Sequence, residues 1–160
     1  MSFEREAQLA ANLAYEVLAE QGELPPTLVG FTGDRIYRAQ FKGPAERINV
    51  PLVVATLRAI DADRYAIAYE GSLTTQGTDT EMRARDGIFV ITADTRVSEV
   101  RHYPFERNEE GEVRGISEPR HLTLFSPLTE LLSGADIPDA EIDSLRPQVR
   151  KLLKGVVTDD

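Results

Sequence analysis

Short turn sequences separate neighbouring strand-like segments of this chain, and they constrain the sheet more than any other feature does. Thr32-Gly33-Asp34 stands between the segments 28–31 and 35–41, and its glycine can adopt the positive φ of a tight turn. Asp94-Thr95 precedes the segment 96–106 in the same way. Strands joined by such short connections run antiparallel, because parallel strands need a long crossover connection. We therefore predict a mainly antiparallel sheet.

The spacing of apolar residues predicts two helices in the first half of the chain. In residues 2–20 the apolar side chains recur on one helical face, with Ser2 as the expected cap and Gly22 as the left-handed residue at the end. Asn49 is expected to cap a second helix, whose first turn contains Pro51. A proline there costs little, because its missing N–H would have no partner within the helix.

A helical tail is expected over about residues 127–155. Ser126-Pro127 is a typical helix start, with serine as the cap and proline at the first helical position. A last helix is predicted within residues 139–154. There Pro147 must either kink the helix or lie in the first turn of a segment capped by Ser144.

Further strands are predicted from short apolar or alternating runs. Residues 64–70 and 113–116 are such segments, and residues 88–91 form an apolar run that is typical of a central strand. The polar, threonine-rich segment 71–86 lacks periodicity. It predicts either the longest loop of the protein or an irregular extension of a strand.

The order of these elements predicts a single α+β domain over residues 1–160. Its sheet is expected to be mainly antiparallel, with about five strands flanked by N-terminal, central and C-terminal helices. A chain of 160 residues is long enough to bury a sizeable core. The element order resembles that of the profilin-like and roadblock-like folds, whose members are mostly regulatory or interaction modules. That resemblance implies a binding role.

A second resemblance depends on particular residues. These are Tyr69-Glu70-Gly71, Asp79 and Glu81 in the polar segment that follows, and His102-Tyr103-Pro104-Phe105. Over about residues 65–115 the chain looks like small bacterial and phage α+β proteins of unknown function. Because no activity is attached to that group, the resemblance implies none here.

Charge and composition exclude several classes of function. With 27 Asp and Glu against 18 Lys and Arg, the net charge of −9 is unsuited to binding the phosphates of nucleic acid. The absence of cysteine excludes disulfides and thiol chemistry. No apolar run approaches the ~20 residues of a membrane span, and the first residues lack a signal-peptide pattern. We expect a cytoplasmic protein that contacts no membrane.

Three acidic residues and one histidine form the candidate catalytic group. Glu70, Asp79 and Glu81 are close enough in sequence for acid–base chemistry or for a divalent cation, although solvated surface carboxylates have the same pattern. His102 is a potential base or ligand, but no metal-ligand spacing links it with His121, as is typical of structural histidines. Motifs for phosphate binding or a nucleophilic serine are absent. We therefore expect no metal, no cofactor and no catalytic residue.

Two stretches are candidate interaction surfaces. Residues 96–103 predict an edge or near-edge strand, whose polar side chains either block further pairing or contact a second copy. They are Arg96, Arg101, His102 and Tyr103. A basic cluster near the C-terminus either stabilises a helix end or binds an acidic segment of a partner. It consists of Arg146, Arg150, Lys151 and Lys154.

These observations leave three functions open. The preferred interpretation is a non-catalytic interaction or regulatory module that acts as a homodimer, with a further protein partner as an option. The first alternative is a small-molecule sensor with a pocket between the sheet and segment 71–86, where Tyr69, Glu70 and Arg96 supply polar contacts. The second alternative is a metal-assisted hydrolase that uses Glu70, Asp79 and His102.

Overall fold

Helices cover both faces of one antiparallel sheet. The computed structural model describes residues 3–76, 82–123, 127–132, 137–153 and 156–157. The helices in these ranges are α1 (Glu4–Gln21), α2 (Val50–Ala59), α3 (Asp139–Ser144) and α4 (Arg146–Leu152), with short 3-10 turns at Ala45–Arg47 and Pro127–Thr129. None of the helices in the described part of the chain is long and apolar enough to cross a membrane.

The sheet contains eight strands within the described residues. They are β1 (Thr27–Thr32), β2 (Arg35–Gln40), β3 (Arg64–Gln76), β4 (Met82–Ala93), β5 (Ser98–Arg107), β6 (Val113–Ile116), β7 (Arg120–Leu122) and β8 (Val156–Val157). The order across the sheet is β6-β5-β4-β3-β1-β2-β8, with β7 also paired to β5, and all neighbours are antiparallel. The predicted α+β domain is confirmed, with more strands than the five or so expected.

A long hairpin extends two of the predicted strands. The register of β3 and β4 continues without a break from Tyr65 opposite Ala93 to Gln76 opposite Met82. Segment 71–86 is therefore not a long loop, and its described residues extend two strands, as the other interpretation of that segment predicted. Threonine is well suited to strands, and the Ser72 hydroxyl donates to Asp86 Oδ1 across the pair at 2.6 Å. Residues 77–81 lie outside the described ranges.

One face of the sheet packs against α1. The buried face of α1 consists largely of alanines, whose small side chains allow the helix to approach the strands closely; they are Ala7, Ala10, Ala11 and Ala14. Their partners on the sheet include Val29, Ala66 and Val90. Gly22 ends the helix at φ 79°, which confirms the predicted left-handed residue. The predicted cap Ser2 lies outside the described residues, and Phe3 occupies the cap position without a side-chain hydrogen bond.

The other face packs against α2 and the C-terminal helices. Val53, Val54 and Leu57 of α2 are fully buried in a cluster with residues of β1, β3 and β4. Asn49 caps α2 as predicted, since its side-chain oxygen accepts from Leu52 N at 3.2 Å. On the same face, Tyr65 of β3 binds the segment around Leu128. Its hydroxyl donates to Leu128 O at 2.5 Å and accepts from Leu131 N at 3.2 Å.

The C-terminal tail divides into two short helices. Pro147 lies in the first turn of α4, as one of the two interpretations predicted. The predicted cap is wrong, because Leu145 occupies that position and the Ser144 hydroxyl donates back to Glu141 O at 2.6 Å. Ser126 lies outside the described residues, and Pro127–Thr129 forms a 3-10 turn instead of the start of an α-helix.

Candidate functional site

The sheet separates the side chains that the sequence suggested as one site. In the cross-strand register, Tyr69 lies opposite Phe89, and Phe89 lies opposite His102. The next row consists of Glu70, Ile88 and Tyr103. Because successive side chains of a strand point to opposite faces, the first row faces α2 and the second faces α1. Glu70 and His102 therefore lie on opposite faces, and Asp79 and Glu81 lie outside the described residues.

An aromatic row crosses three strands on the α2 face. The ring centroids of Tyr69 and Phe89 are 5.3 Å apart and nearly parallel, and those of Phe89 and His102 are 4.5 Å apart. Gly71 and Gly87 leave room for these rings. A Cβ atom on Gly71 would come within 2.7 Å of the Phe89 ring, and one on Gly87 within 2.5 Å of the His102 ring. The two glycines thus form a shallow slot in which the rings lie.

His102 is completely buried at the end of this row. Its Nε2 lies 3.2 Å from Gly71 O, and since a carbonyl oxygen can only accept, Nε2 is the donor. Nδ1 is buried and has no hydrogen-bond partner among the described residues. Burial lowers the pKa of His102 below its ordinary value, with a smaller contribution from Arg85, although the Gly71 carbonyl and Asp86 act in the opposite direction. The imidazole is thus part of the core, and burial makes its protonation less favourable.

Arg101 and Tyr103 are also core residues, on the opposite face from His102. The Arg101 guanidinium is only 3% exposed, and its Nη2 lies 2.7 Å from Glu99 Oε2. Tyr103 is buried beneath α1, and this burial raises the pKa of its hydroxyl. β5 pairs with β4 on one side and with β6 and β7 on the other. Of the two predicted positions, edge and near-edge, it therefore occupies the near-edge one. The expectation that its polar residues are exposed is wrong for residues 101–103.

The remaining candidates are accessible but scattered. Glu70 is exposed, and its Oε2 lies 3.3 Å from Arg107 Nη2. Tyr69 is half-buried, and this burial is the main reason that its pKa is raised to about 12. Arg96 is exposed in the turn before β5, where Asp94 Oδ1 accepts from the backbone N–H groups of Arg96 and Val97 at 2.7 and 2.9 Å. These hydrogen bonds lower the pKa of Asp94. A single pocket does not accommodate both Tyr69 and Glu70, because they face opposite sides of the sheet.

Metal binding has no assembled ligand group in the part of the chain that is described. No three histidine or acidic side chains there lie close enough together to hold an ion. His121 is exposed on β7, opposite Arg101 in the strand register. The metal hypothesis requires Asp94, Glu99 or Glu118 to lie beside the histidines. Of these, Glu99 contacts Arg101, and Asp94 holds the turn at Arg96.

A cation-lined cleft is the site that the sequence did not predict. Two adjacent cavities, each of about 400 Å³, lie between the end of β2, the segment after it and α4. Phe41 and Leu152 belong to both linings and supply apolar surface. The charged side chains are all cationic within the described lining; they are Arg38, Lys42, Arg47 and Lys151. We call this surface the basic cleft.

The cations of the basic cleft are available to a ligand. Lys42, Arg47 and Lys151 are exposed and Arg38 is half-buried. None of the four forms an ion pair with another described residue, whereas Arg58 and Arg146 pair with Asp139 and Asp143. In a chain with a net charge of −9, a cavity lining whose described residues include four cations and no Asp or Glu is a pronounced separation of charge.

The structure divides the basic cluster that was expected near the C-terminus. Lys151 lines the basic cleft, whereas Arg146 and Arg150 line a cavity of about 520 Å³ against α2. The sequence contains a signal for this division, since residues four apart share a helical face and Lys151 is offset from Arg150 by one position. Lys154 lies outside the described residues. Only the tertiary structure brings Arg38, Lys42 and Arg47 beside Lys151.

Comparison of the chain with protein-family models, with curated proteins and with solved structures finds no match.

Proposed function

We propose that this protein is a non-catalytic interaction module that binds an acidic segment of a partner protein in the basic cleft. The observation that carries the proposal is the concentration of unpaired cations around the apolar surface of Phe41 and Leu152. A segment that combines carboxylates with apolar side chains complements both features of the cleft. Complementary charge also steers the encounter of the partners and increases the association rate.

The placement of the catalytic candidates supports a non-catalytic role. A hydrolase that uses Glu70 and His102 needs both groups at one substrate, and the sheet lies between them. The His102 imidazole is enclosed and donates to Gly71 O, so a substrate has no access to its nitrogens in this conformation. The geometry therefore favours binding over acid–base chemistry at these residues.

The test measures binding of two defined peptides by fluorescence anisotropy. One probe has four Val-Glu repeats, and the other has the order Leu-Glu-Glu-Leu, repeated once, which places its acids on one side of a helix. Exposed ion pairs contribute only about 0.2–1 kcal/mol each and are screened by salt. We expect at least one peptide to bind, more weakly at high salt.

A matched pair of charge reversals locates the binding. Lys42→Glu with Lys151→Glu removes two cations from the basic cleft, and Arg146→Glu with Arg150→Glu makes the same change of charge on the other side of α4. We expect about a tenfold loss of affinity in the first variant and a much smaller loss in the second. Equal losses in the two variants, or no binding of either peptide to the unmodified protein, would overturn the proposal.

The homodimer and the sensor stay predictions. β6 and β7 occupy the side of β5 that was expected to pair with a second copy, so a dimer needs another surface. Light scattering tests the dimer, and a mass near the 17.8 kDa of one chain at micromolar concentration contradicts it. A thermal-shift screen with metabolites tests the sensor, because a ligand at 100 times its Kd stabilises a protein by about 2.7 kcal/mol.

A further inference from the structure

The outer edge of β2 is incompletely paired. All six residues of β2 pair with β1, from Arg35 opposite Thr32 to Gln40 opposite Thr27. On the other side, β8 pairs only with Ile36 and Tyr37. Within the described residues, no strand pairs with the outer edge of residues 38–40. An edge of this kind is a template for an added strand.

The hydrogen-bond pattern shows which backbone groups face outward. Phe41 N–H donates to Pro26 O at 2.8 Å, just beyond the end of the β1–β2 ladder. Residues of an antiparallel strand alternate between bonding to one neighbour and to the other. Counting back from Phe41, residues 39 and 37 bond towards β1, so Arg38 and Gln40 direct their N–H and C=O groups outward. This edge can therefore form the main-chain hydrogen bonds of a further strand.

The same edge is a wall of the basic cleft. Arg38, Ala39 and Gln40 line one of its two cavities, together with Lys42 and Lys151. Ala39 and Phe41 pack in the cluster beneath α2, so Arg38 faces the opposite side of the sheet. A strand added here would place alternate side chains towards Phe41 on one side and towards Arg38 on the other. Alternation of apolar and acidic residues fits these two environments.

The present occupant of this edge is a short strand. β8 comprises only Val156 and Val157. A strand that pairs with two residues is held by far fewer main-chain contacts than the six pairs between β1 and β2. It is the shortest strand in the described part of the sheet. A longer segment would form more pairs along β2.

We propose that the acidic segment of the partner binds as an extended strand along the outer edge of β2, in place of β8. This inference rests on the proposed function and adds the binding mode: strand exchange, with main-chain pairing for affinity and alternating side chains for specificity. The partner segment has alternating apolar and acidic residues. Its carboxylates lie near Arg38 and Lys42, and its apolar side chains lie against Phe41.

A disulfide that fixes β8 tests the exchange. Tyr37 lies opposite Val156, at a pair whose residues do not exchange hydrogen bonds and whose Cα atoms are typically ~4.5 Å apart, within the range for a disulfide. The chain has no cysteine, so Tyr37→Cys with Val156→Cys introduces one defined bond. Ser72→Cys with Asp86→Cys is the matched control, at an exposed pair of the same type in the long hairpin.

Affinity for the peptide with four Val-Glu repeats is measured before and after reduction with dithiothreitol. We expect the oxidised form of the variant that combines Tyr37→Cys and Val156→Cys to bind about tenfold more weakly than its reduced form, and the control to bind equally in both states. Gel filtration and a non-reducing gel are run on each sample. Equal affinity in the oxidised and reduced forms overturns the exchange, and so does a disulfide-linked dimer, which would assign the edge to a second copy.

The outcomes separate this inference from the proposed function. If only the helix-spaced peptide binds and the Lys42 and Lys151 reversals weaken it, the acidic-segment function stands and strand exchange fails. If a substitution at Tyr37 or Val156 prevents folding, the control is a Val-Glu peptide methylated on every backbone nitrogen. That peptide keeps every side chain but has no main-chain N–H to donate to a strand edge, so undiminished binding of it to the unmodified protein overturns strand exchange.

Discussion

Glu70 on β3 and His102 on β5 lie on opposite faces of the sheet, with the backbone of β4 between them. The reason is the alternation of side chains along a strand, which places Tyr69 on the same face as His102 and Glu70 on the other. Residues that are neighbours in sequence are thus directed to different environments, one beneath α1 and one on the side of α2. The His102 imidazole is enclosed in the core, whereas Glu70 is exposed.

The stability of the protein is expected to depend on the protonation of His102. Its pKa is lowered on folding, so below its ordinary value of 6.5 the unfolded chain binds more protons than the folded chain. Stability therefore falls as the pH decreases below about 6.5, until the pKa in the folded state is passed. Urea unfolding between pH 5 and 8 measures this slope. His102→Gln should reduce it, whereas His121→Gln, at an exposed site, should retain it; an unchanged slope in His102→Gln would contradict the prediction.

The two glycines beside the aromatic row should differ in their tolerance of alanine. At Gly87 an added Cβ would lie 2.5 Å from His102 Nε2 and 2.6 Å from the main-chain oxygen of Tyr103, which cannot move without shifting β5. At Gly71 it would meet only the half-buried Phe89 ring. We expect Gly87→Ala to destabilise the fold by about 1–3 kcal/mol, and Gly71→Ala by less. Urea denaturation measures the unfolding free energy of both variants. A larger loss of unfolding free energy in Gly71→Ala than in Gly87→Ala would refute the prediction.

Removal of the Tyr65 hydroxyl should loosen the segment that it holds. Tyr65→Phe removes the buried hydrogen bonds of this hydroxyl to Leu128 O and from Leu131 N, which costs about 1–3 kcal/mol of unfolding free energy. Tyr69→Phe is the control, since the Tyr69 hydroxyl makes no hydrogen bond among the described residues and its loss should cost less than about 0.5 kcal/mol. Thermal unfolding compares the variants. Equal melting temperatures for the two would show that the Tyr65 hydroxyl adds nothing.

The cap of α2 should be measurable by a single substitution. Asn49→Ala removes the acceptor for Leu52 N–H and should lower the unfolding free energy by about 1 kcal/mol, whereas Asn49→Asp keeps an acceptor and should cost less. Asn12→Ala, at an exposed interior position of α1, serves as the control and should be neutral or stabilising. If Asn49→Ala proved as stable as Asn12→Ala in urea, the cap would have no energetic role.

Local features of the fold were predictable because their causes are local. The end of α1 at Gly22, the cap at Asn49 and the turn at Asp94 each depend on residues within a few positions of one another. The extension of β3 and β4 was harder to predict, because its strands contain serine and threonine where an apolar alternation would be the usual signal. Pairing between the strands, not their own pattern, defines that hairpin.

The candidate site was predictable only in part, because sequence spacing does not show which faces meet. Residues 101–103 carry the polar groups of a typical interface, but they are buried. Tyr103 packs beneath α1, and His102 packs against Phe89 on the other face of the sheet. Of the four cations expected to act together near the C-terminus, Lys151 contributes to the basic cleft, whereas Arg146 and Arg150 lie on the other side of α4. The other cations of the basic cleft come from a strand and a loop that lie more than 100 positions before Lys151 in the chain.

The amino-acid sequence by itself determined the fold class, the antiparallel direction of the sheet, the C-terminal end of α1 and the start of α2. Short turns, caps and apolar periodicity act over a few residues, so they can be recognised in the sequence. The tertiary structure alone decided that His102 is enclosed, that Glu70 lies on the opposite face, and that Arg38 and Lys42 meet Lys151. These relationships arise from pairing and packing between segments that are far apart in the sequence. The free energy of such contacts depends on which segments pack together, and local sequence patterns do not specify this.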